Sequence, residues 1–268
     1  MSATHDADSA MVPPPPPLLH TDAAVLGAAV DHPGLAARLG EVRQQVADAC
    51  RAAGRGPDTV TLIAVSKNHP AAAVRAAYAA GQRDFGESYA AEFRDKRAAL
   101  QDLTDLRWHF IGHLQRNKMK WVVGQVAVHH AVDDMVGLDE LTRRAWALGV
   151  RQDVLLQINL ASEPSKRGCK EADVPVFADV LLRSPGVRWC GLMTLPPAED
   201  DPAPWFARLA SWQTRLRAQH GPALTLHGSD LAVLSMGMST DFPAAIAAGA
   251  THVRIGTAVF GPRPPKSG

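Results

Sequence analysis

The chain has little cysteine and few aromatic residues. Its 268 residues include three cysteines, and Phe, Trp and Tyr together make up 6%. Cys50, Cys169 and Cys190 are odd in number and lack metal or redox spacing, which argues against a disulfide framework and for free thiols in a reducing cytoplasm. An excess of one charge is also missing: 28 Lys and Arg stand against 27 Asp and Glu, for a net charge of +1. No basic patch or charged tail points to nucleic acid or to a membrane lipid. No apolar run is long enough to span a bilayer. The N-terminus has no basic leader region, and Pro13 to Pro17 break its apolar stretch, so it is neither a secretory signal nor a span. Residues 1–33 read as a stiff, unpacked, proline-bearing tail, residues 34–263 as a single domain, and residues 264–268 as a short C-terminal tail.

What is present is a hydrophobic fraction of 46% and a regular alternation of short apolar runs with helical patterns. A first helix is predicted from about residue 35 to 53, with Leu35, Leu39, Val42 and Val46 on one face and Gly54 and Gly56 ending it. Strands are predicted over 60–66, 84–88, 107–112, 126–132, 153–159, 187–195, 232–236 and 251–256. Helices are predicted over 70–81, 89–100, 114–124, 136–149, 171–184, 203–220 and 241–249. Glycines 81, 124, 149 and 249 close several of them. Eight strands alternating with helices predict an α/β fold, a single parallel (β/α)8 barrel. The strands read as apolar throughout, as strands buried on both faces should. A doubly wound open sheet would want a glycine-rich turn after the first strand, and 66-SKNHP-70 contains no glycine.

Barrel logic puts chemistry at the C-terminal ends of the strands, with phosphate held after the last two. There, Ser235, Gly237 and Ser239 and then Gly256 and Thr257 offer hydroxyls and close backbone N–H groups. Lys67 follows the first strand, which neighbours the eighth in a closed barrel. A lysine at an apolar strand end is a nucleophile towards an aldehyde, and with a phosphate cradle it points to pyridoxal phosphate. Arg254 shares a side of its strand with Gly256. Facing a pyridine nitrogen, its always-charged guanidinium would keep that nitrogen unprotonated and make the ring a weak electron sink. Met193 and Thr194 end the sixth strand on the ligand side or in the core. His109 and His113 are candidate acids or bases, though structural roles are commoner. His129 and His130 are adjacent and face opposite ways, which disfavours a metal pair. Lys166 reads as a solvated loop lysine, with phosphate binding as the alternative.

Six ordered motifs then carry a resemblance: AVSK (64–67), FGESYAAE (85–92), WHFIGHLQRNK (108–118), INLASEPSKRG (158–168), GLMTLPP (191–197) and LSMGMSTDFPAAIAAGATHVRIGTAVFG (234–261). The chain resembles the pyridoxal phosphate homeostasis proteins, which are similar to the barrel domain of alanine racemase. The resemblance implies a Schiff base on Lys67 and Arg254 facing the pyridine nitrogen, with Ser235, Ser239, Gly256 and Thr257 around the phosphate. It also implies a mostly monomeric cytoplasmic protein that buffers, carries or delivers the cofactor, with PLP-dependent apo-enzymes as possible recipients. Two positions depart from the family pattern. Ser88 stands where an asparagine usually lies near the cofactor, and Asn68 where a threonine usually follows the lysine. Retuned binding is the expectation.

The alternative is an amino-acid racemase of the same barrel class. A racemase needs two bases on opposite faces of the substrate carbon. Lys67 can serve one. Tyr78 falls in an outer helix pattern and Tyr89 starts the helix after the second strand, so neither is an obvious second base. The chain ends seven residues after Gly261, where racemases of this fold continue into a second domain. Binding without significant turnover is therefore expected.

Overall fold

A computed structural model describes residues 34–262; the predicted tails lie outside the described residues. Helix α1 (Leu35–Ala52) buries Leu35, Leu39, Val42, Val46 and Cys50 on the predicted stripe. Strands and helices then alternate: β1 (Thr61–Val65), α2 (Ala71–Ala79), β2 (Asp84–Glu87), α3 (Ala90–Ala99), β3 (Arg107–Phe110), α4 (Met119–Val122), β4 (Val128–Val132) and α5 (Met135–Ala147). The second half runs β5 (Gln152–Asn159), β6 (Cys169–Lys170), α6 (Val174–Leu181), β7 (Val187–Met193), α7 (Ala203–His227), β8 (Val233–Ser235), α8 (Phe242–Ala247), β9 (His252–Ile255) and α9 (Thr257–Phe260).

All pairings are parallel, and the order β4-β3-β2-β1-β9-β8-β7-β5 closes through β4 and β5 into an eight-stranded barrel. Each predicted strand is one stave of it. The two-residue β6 is an addition, paired to the edge of β5 at Ile158 and Asn159.

The helices differ more. Helix α7 runs through Gly221 and Pro222, where a stop was expected, and ends at Gly228 with φ 65°. A proline inside a helix removes one hydrogen bond. Here the last turn is held by tertiary contacts instead: Leu224 is buried, and the His227 ring meets the Ser184 carbonyl. The predicted helix over 114–124 shrinks to a 3-10 turn at Arg116–Lys118 followed by α4.

Strand parity sorts the interior into two layers. Ala64, Phe85, Trp108, Phe110, Val154, Leu156, Leu234, Val253 and Ile255 face the helices and belong to the main apolar core. The T-shaped contacts of Phe93 with Trp108 and Phe110 show how α3 docks on β3. The alternate residues face the lumen. A small apolar cluster there joins Leu155, Cys190 and Met193. The rest corrects the expectation of apolar staves: His109, His130, Ser235 and Arg254 are buried and hydrogen-bonded to one another inside the barrel. Among the described residues, no helix is long and apolar enough to cross a membrane.

Candidate functional site

Because every stave is parallel, the C-terminal strand ends share one rim. Lys67 stands two residues beyond β1 and is half-buried. Ile63 and Val65 crowd the space over Gly86 on the lumen side, and Lys67 follows in the turn after the strand. The backbone on either side of it is fixed. The Ser66 hydroxyl donates to Glu87 Oε1 at 2.6 Å, and Lys96 Nζ donates to the Ser66 carbonyl at 2.6 Å. The Asn68 backbone N–H donates to Glu92 Oε1 at 2.6 Å, with Asn68 itself at φ 65°. Lys96 also pairs with Glu87 at 2.6 Å and Glu92 at 2.7 Å. One buried ammonium thus ties down the backbone on both sides of Lys67. Burial pushes the Glu87 carboxyl up against the pull of Lys96, and its Oε2 has no hydrogen-bond partner.

Strand β9 lies beside β1 in the register Ile63↔Arg254 and Ala64↔Ile255. Arg254 therefore enters the lumen next to the stave that carries Lys67. Its Nη1 donates to Ser235 Oγ at 2.7 Å and its Nη2 to the Thr194 carbonyl at 3.1 Å. Burial lowers the guanidinium to about 10, which leaves it cationic at neutral pH. Beyond β9, Gly256 packs so closely on β1 that a Cβ would lie 3.1 Å from the Val65 carbonyl. Thr257 opens α9 and is exposed. Beyond β8, Gly237 has φ 94°, and a Cβ there would lie 2.7 Å from Ala245 Cβ. Ser239 follows in the loop before α8, half-buried, and lines a groove against Gln45 and Asp48 of α1.

The remaining candidates distribute as follows. Ser88 is half-buried on the rim after β2, its backbone tight against Gly112. Met193 is buried at the end of β7 in the lumen cluster. Ser235 is fully buried, and its hydroxyl is shared between Arg254 and His130 Nδ1, 2.9 Å away. Lys166 sits in the loop after β5, donating to the Pro196 carbonyl at 2.7 Å and pairing with Glu163. His113 meets Asp133 at 3.1 Å. With Asp134 these could offer three metal-ligand atoms within 4.8 Å of one another, but Asp134 already caps α5 through the Gly137 N–H.

Sequence reasoning did not single out Asp84 and left His109 and His130 without an assigned place. His109 Nδ1 lies 2.9 Å from His130 Nε2, and His109 Nε2 lies 3.0 Å from Asp84 Oδ1. Arg107 Nε donates to Asp84 Oδ1 at 2.8 Å at the N-terminal mouth. Burial raises the Asp84 carboxyl, but the bonds from His109 and Arg107 outweigh it and hold it down to about 2. The strand W-H-F (108–110), with both aromatics facing the helices, was the available signal. His129 does face the opposite way from His130, against Phe110.

A closed barrel with a lysine on its C-terminal rim, an arginine beneath it and small residues after its last two strands defines a class. The family described as "Alanine racemase, N-terminal domain" matches residues 38–264. Within that class, the chain belongs to the pyridoxal phosphate homeostasis proteins. It is 43% identical over 229 residues to the pyridoxal phosphate homeostasis protein of Pseudomonas aeruginosa, covering 85% of this chain and 96% of that one. It is 40% identical over 229 residues to that of Aquifex aeolicus, covering 84% of this chain and 97% of that one. Among solved structures it is similar to PipY of Synechococcus elongatus PCC7942 with PLP bound, at 40% identity and a TM-score of 0.74, over 85% of this chain and 100% of PipY.

Proposed function

We propose that this protein binds pyridoxal 5'-phosphate on the C-terminal rim of its barrel and serves intracellular vitamin B6 homeostasis without significant turnover. The observation that carries the reading is the placement of Lys67 and Arg254 on adjacent staves, with Gly256 and Thr257 following directly. The residues fit the group. Lys67 supplies the amine that holds it as a Schiff base, and Arg254 presents a buried cation to the ring nitrogen. The backbone of Gly256, whose missing side chain leaves room, and the hydroxyls of Ser239 and Thr257 suit a phosphate. Ser88 and Met193 border the ring, and Ser235 acts through Arg254 rather than on phosphate directly. The bound cofactor would supply an electron sink, which an arginine at the ring nitrogen keeps weak.

Two further observations support binding over turnover. The relatives named above are homeostasis proteins, and Tyr78 is committed to Asp105 on the outer helix layer. Tyr89 stands on the rim and is 53% exposed, so it is the residue to change if racemisation is found. We take residues 34–263 as the binding domain. We take it to act as a cytoplasmic monomer that hands its cofactor to apo-enzymes.

The test is an absorbance spectrum of the purified protein with pyridoxal phosphate, before and after borohydride, beside Lys67→Ala. A yellow band fixed by reduction and absent in the variant is expected; a variant that keeps the band overturns the assignment. Racemisation of L-alanine at a robust rate, lost in Lys67→Ala, would overturn the absence of turnover.

A further inference from the structure

We infer that Ser235, His130, His109 and Asp84 form a one-directional hydrogen-bond chain that positions Arg254 from the opposite mouth of the barrel. The inference deepens the reading above, since it rests on Arg254 meeting the cofactor. Its four links measure 2.7 Å, 2.9 Å, 2.9 Å and 3.0 Å, and they cross the lumen from the end of β8 to the start of β2.

The inferred direction starts from what each end can do. A guanidinium only donates, and a carboxylate only accepts. Ser235 Oγ receives an Arg254 proton on a lone pair, so its own proton is available to His130 Nδ1. His130 then carries its proton on Nε2 and gives it to His109 Nδ1. His109 in turn carries its proton on Nε2 and gives it to Asp84. With one proton per link and a neutral ring at each histidine, every bond is satisfied and none is doubled. A second proton on His130 would sit on Nδ1, take the other lone pair of Ser235 Oγ and reverse that link. Its surroundings oppose that proton as well: burial, then His109, His252, Arg254 and His129, hold the ring well below its ordinary value. The His252 ring lies 6.0 Å from each of the two chain histidines and makes its own contact with Thr251 Oγ1.

The far end is buried, but it lies beside exposed groups. Asp84 lines an open groove of about 370 Å³ together with Arg43, Arg83 and Arg107, and the Arg107 side chain is 57% exposed. At the near end, Nη1 is held by Ser235 and Nη2 by the Thr194 carbonyl, so two sides of the guanidinium are fixed and the remaining donors are aimed. If the acceptor at Asp84 is lost, the proton order collapses link by link, and Ser235 no longer has a committed acceptor for its hydroxyl. The Ser235 lone pair that receives Arg254 is then no longer held in one direction. These four are positioning residues; none of them needs to touch the cofactor.

Two measurements test this. Nitrogen-15 NMR of the cofactor-free protein at neutral pH should show His130 and His109 as neutral Nε2–H tautomers. An Nδ1–H tautomer or a cationic ring at His130 overturns the chain. Titration with pyridoxal phosphate should show Asp84→Leu binding about three- to tenfold more weakly, the size of one lost hydrogen bond. Asp84→Asn, whose amide oxygen still accepts from His109, should restore near-normal binding. Asp84→Leu that is folded by circular dichroism yet binds as the unmodified protein does would also overturn it. If the unmodified protein never develops the yellow band, the Lys67 assignment fails, while the tautomers still decide the chain.

Discussion

Acidification should destabilise this fold well above the range where carboxylates titrate, because several buried histidines are folded as neutral rings. Burial lowers His129 and His252 from 6.5 to about 4, and His130 lies well below 6.5. A depressed pKa means that the unfolded chain binds the proton first. The stability is therefore complete above about pH 6.5 and is lost as the pH falls towards about 4. Between about pH 7 and pH 5, each ring shifted from 6.5 to about 4 removes about 2 kcal/mol. His129 and His252 together remove about 4 kcal/mol, and His130 acts in the same direction, against a total of roughly 5–15 kcal/mol for a typical domain. Glu87 and Asp133, both raised by burial, act in the opposite sense and reduce the slope. Asp84, held down to about 2, gives up its contribution only below about pH 4. The assay is urea unfolding followed by tryptophan fluorescence at about pH 7, 6 and 5. The free energy should fall by about 1.4 kcal/mol per pH unit for each ring that stays neutral in the fold. His129→Leu, on the helix side and outside the lumen chain, should remove one ring's share of that slope. A free energy that stays constant from about pH 6.5 to 5, or an uptake of less than one proton on unfolding, would refute the reasoning.

Three further outcomes are expected. Lys96→Met leaves Glu87 and Glu92 without their shared cation and should cost about 3–5 kcal/mol in urea unfolding; a loss under about 1 kcal/mol would mean that the carboxylates find other partners. Gly191→Ala would drive a Cβ into the Val233 carbonyl where β7 and β8 pair, lowering stability by about 3 kcal/mol or more, visible as a depressed Tm. The Cys169 and Cys190 thiols are pushed up to about 12 by burial, so Ellman's reagent should react slowly with them in the native protein and at once in urea. Rapid native labelling at Cys169 would contradict its burial.

The barrel is legible in the sequence because each stave is a short apolar run bounded by polar or small residues, and because the intervening helices close on glycine. The lumen position of Arg254 is legible for the same reason: parity along 252–255 puts it on the side opposite the helix-facing Val253 and Ile255, while Lys67 is read only from its place just beyond β1. Parity alone leaves the lumen chain hidden. Its members come from β2, β3, β4 and β8, and their contacts span 25, 21 and 105 residues of chain. Only closure of the sheet brings them together. Pro222 misleads in the other direction, since a local stop signal yields to the burial of Leu224 and the contacts of His227. The strand β6 is two residues long and carries no pattern that a sequence reading could detect.

The tether around Lys67 has a consequence for kinetics. Ser66 and Asn68 are both tied to the cluster built on Lys96, so the peptide planes around the lysine are already ordered before any ligand arrives. On the proposed reading, capture and release at this amine move a side chain on a stationary base, with no backbone rearrangement at Ser66 or Asn68.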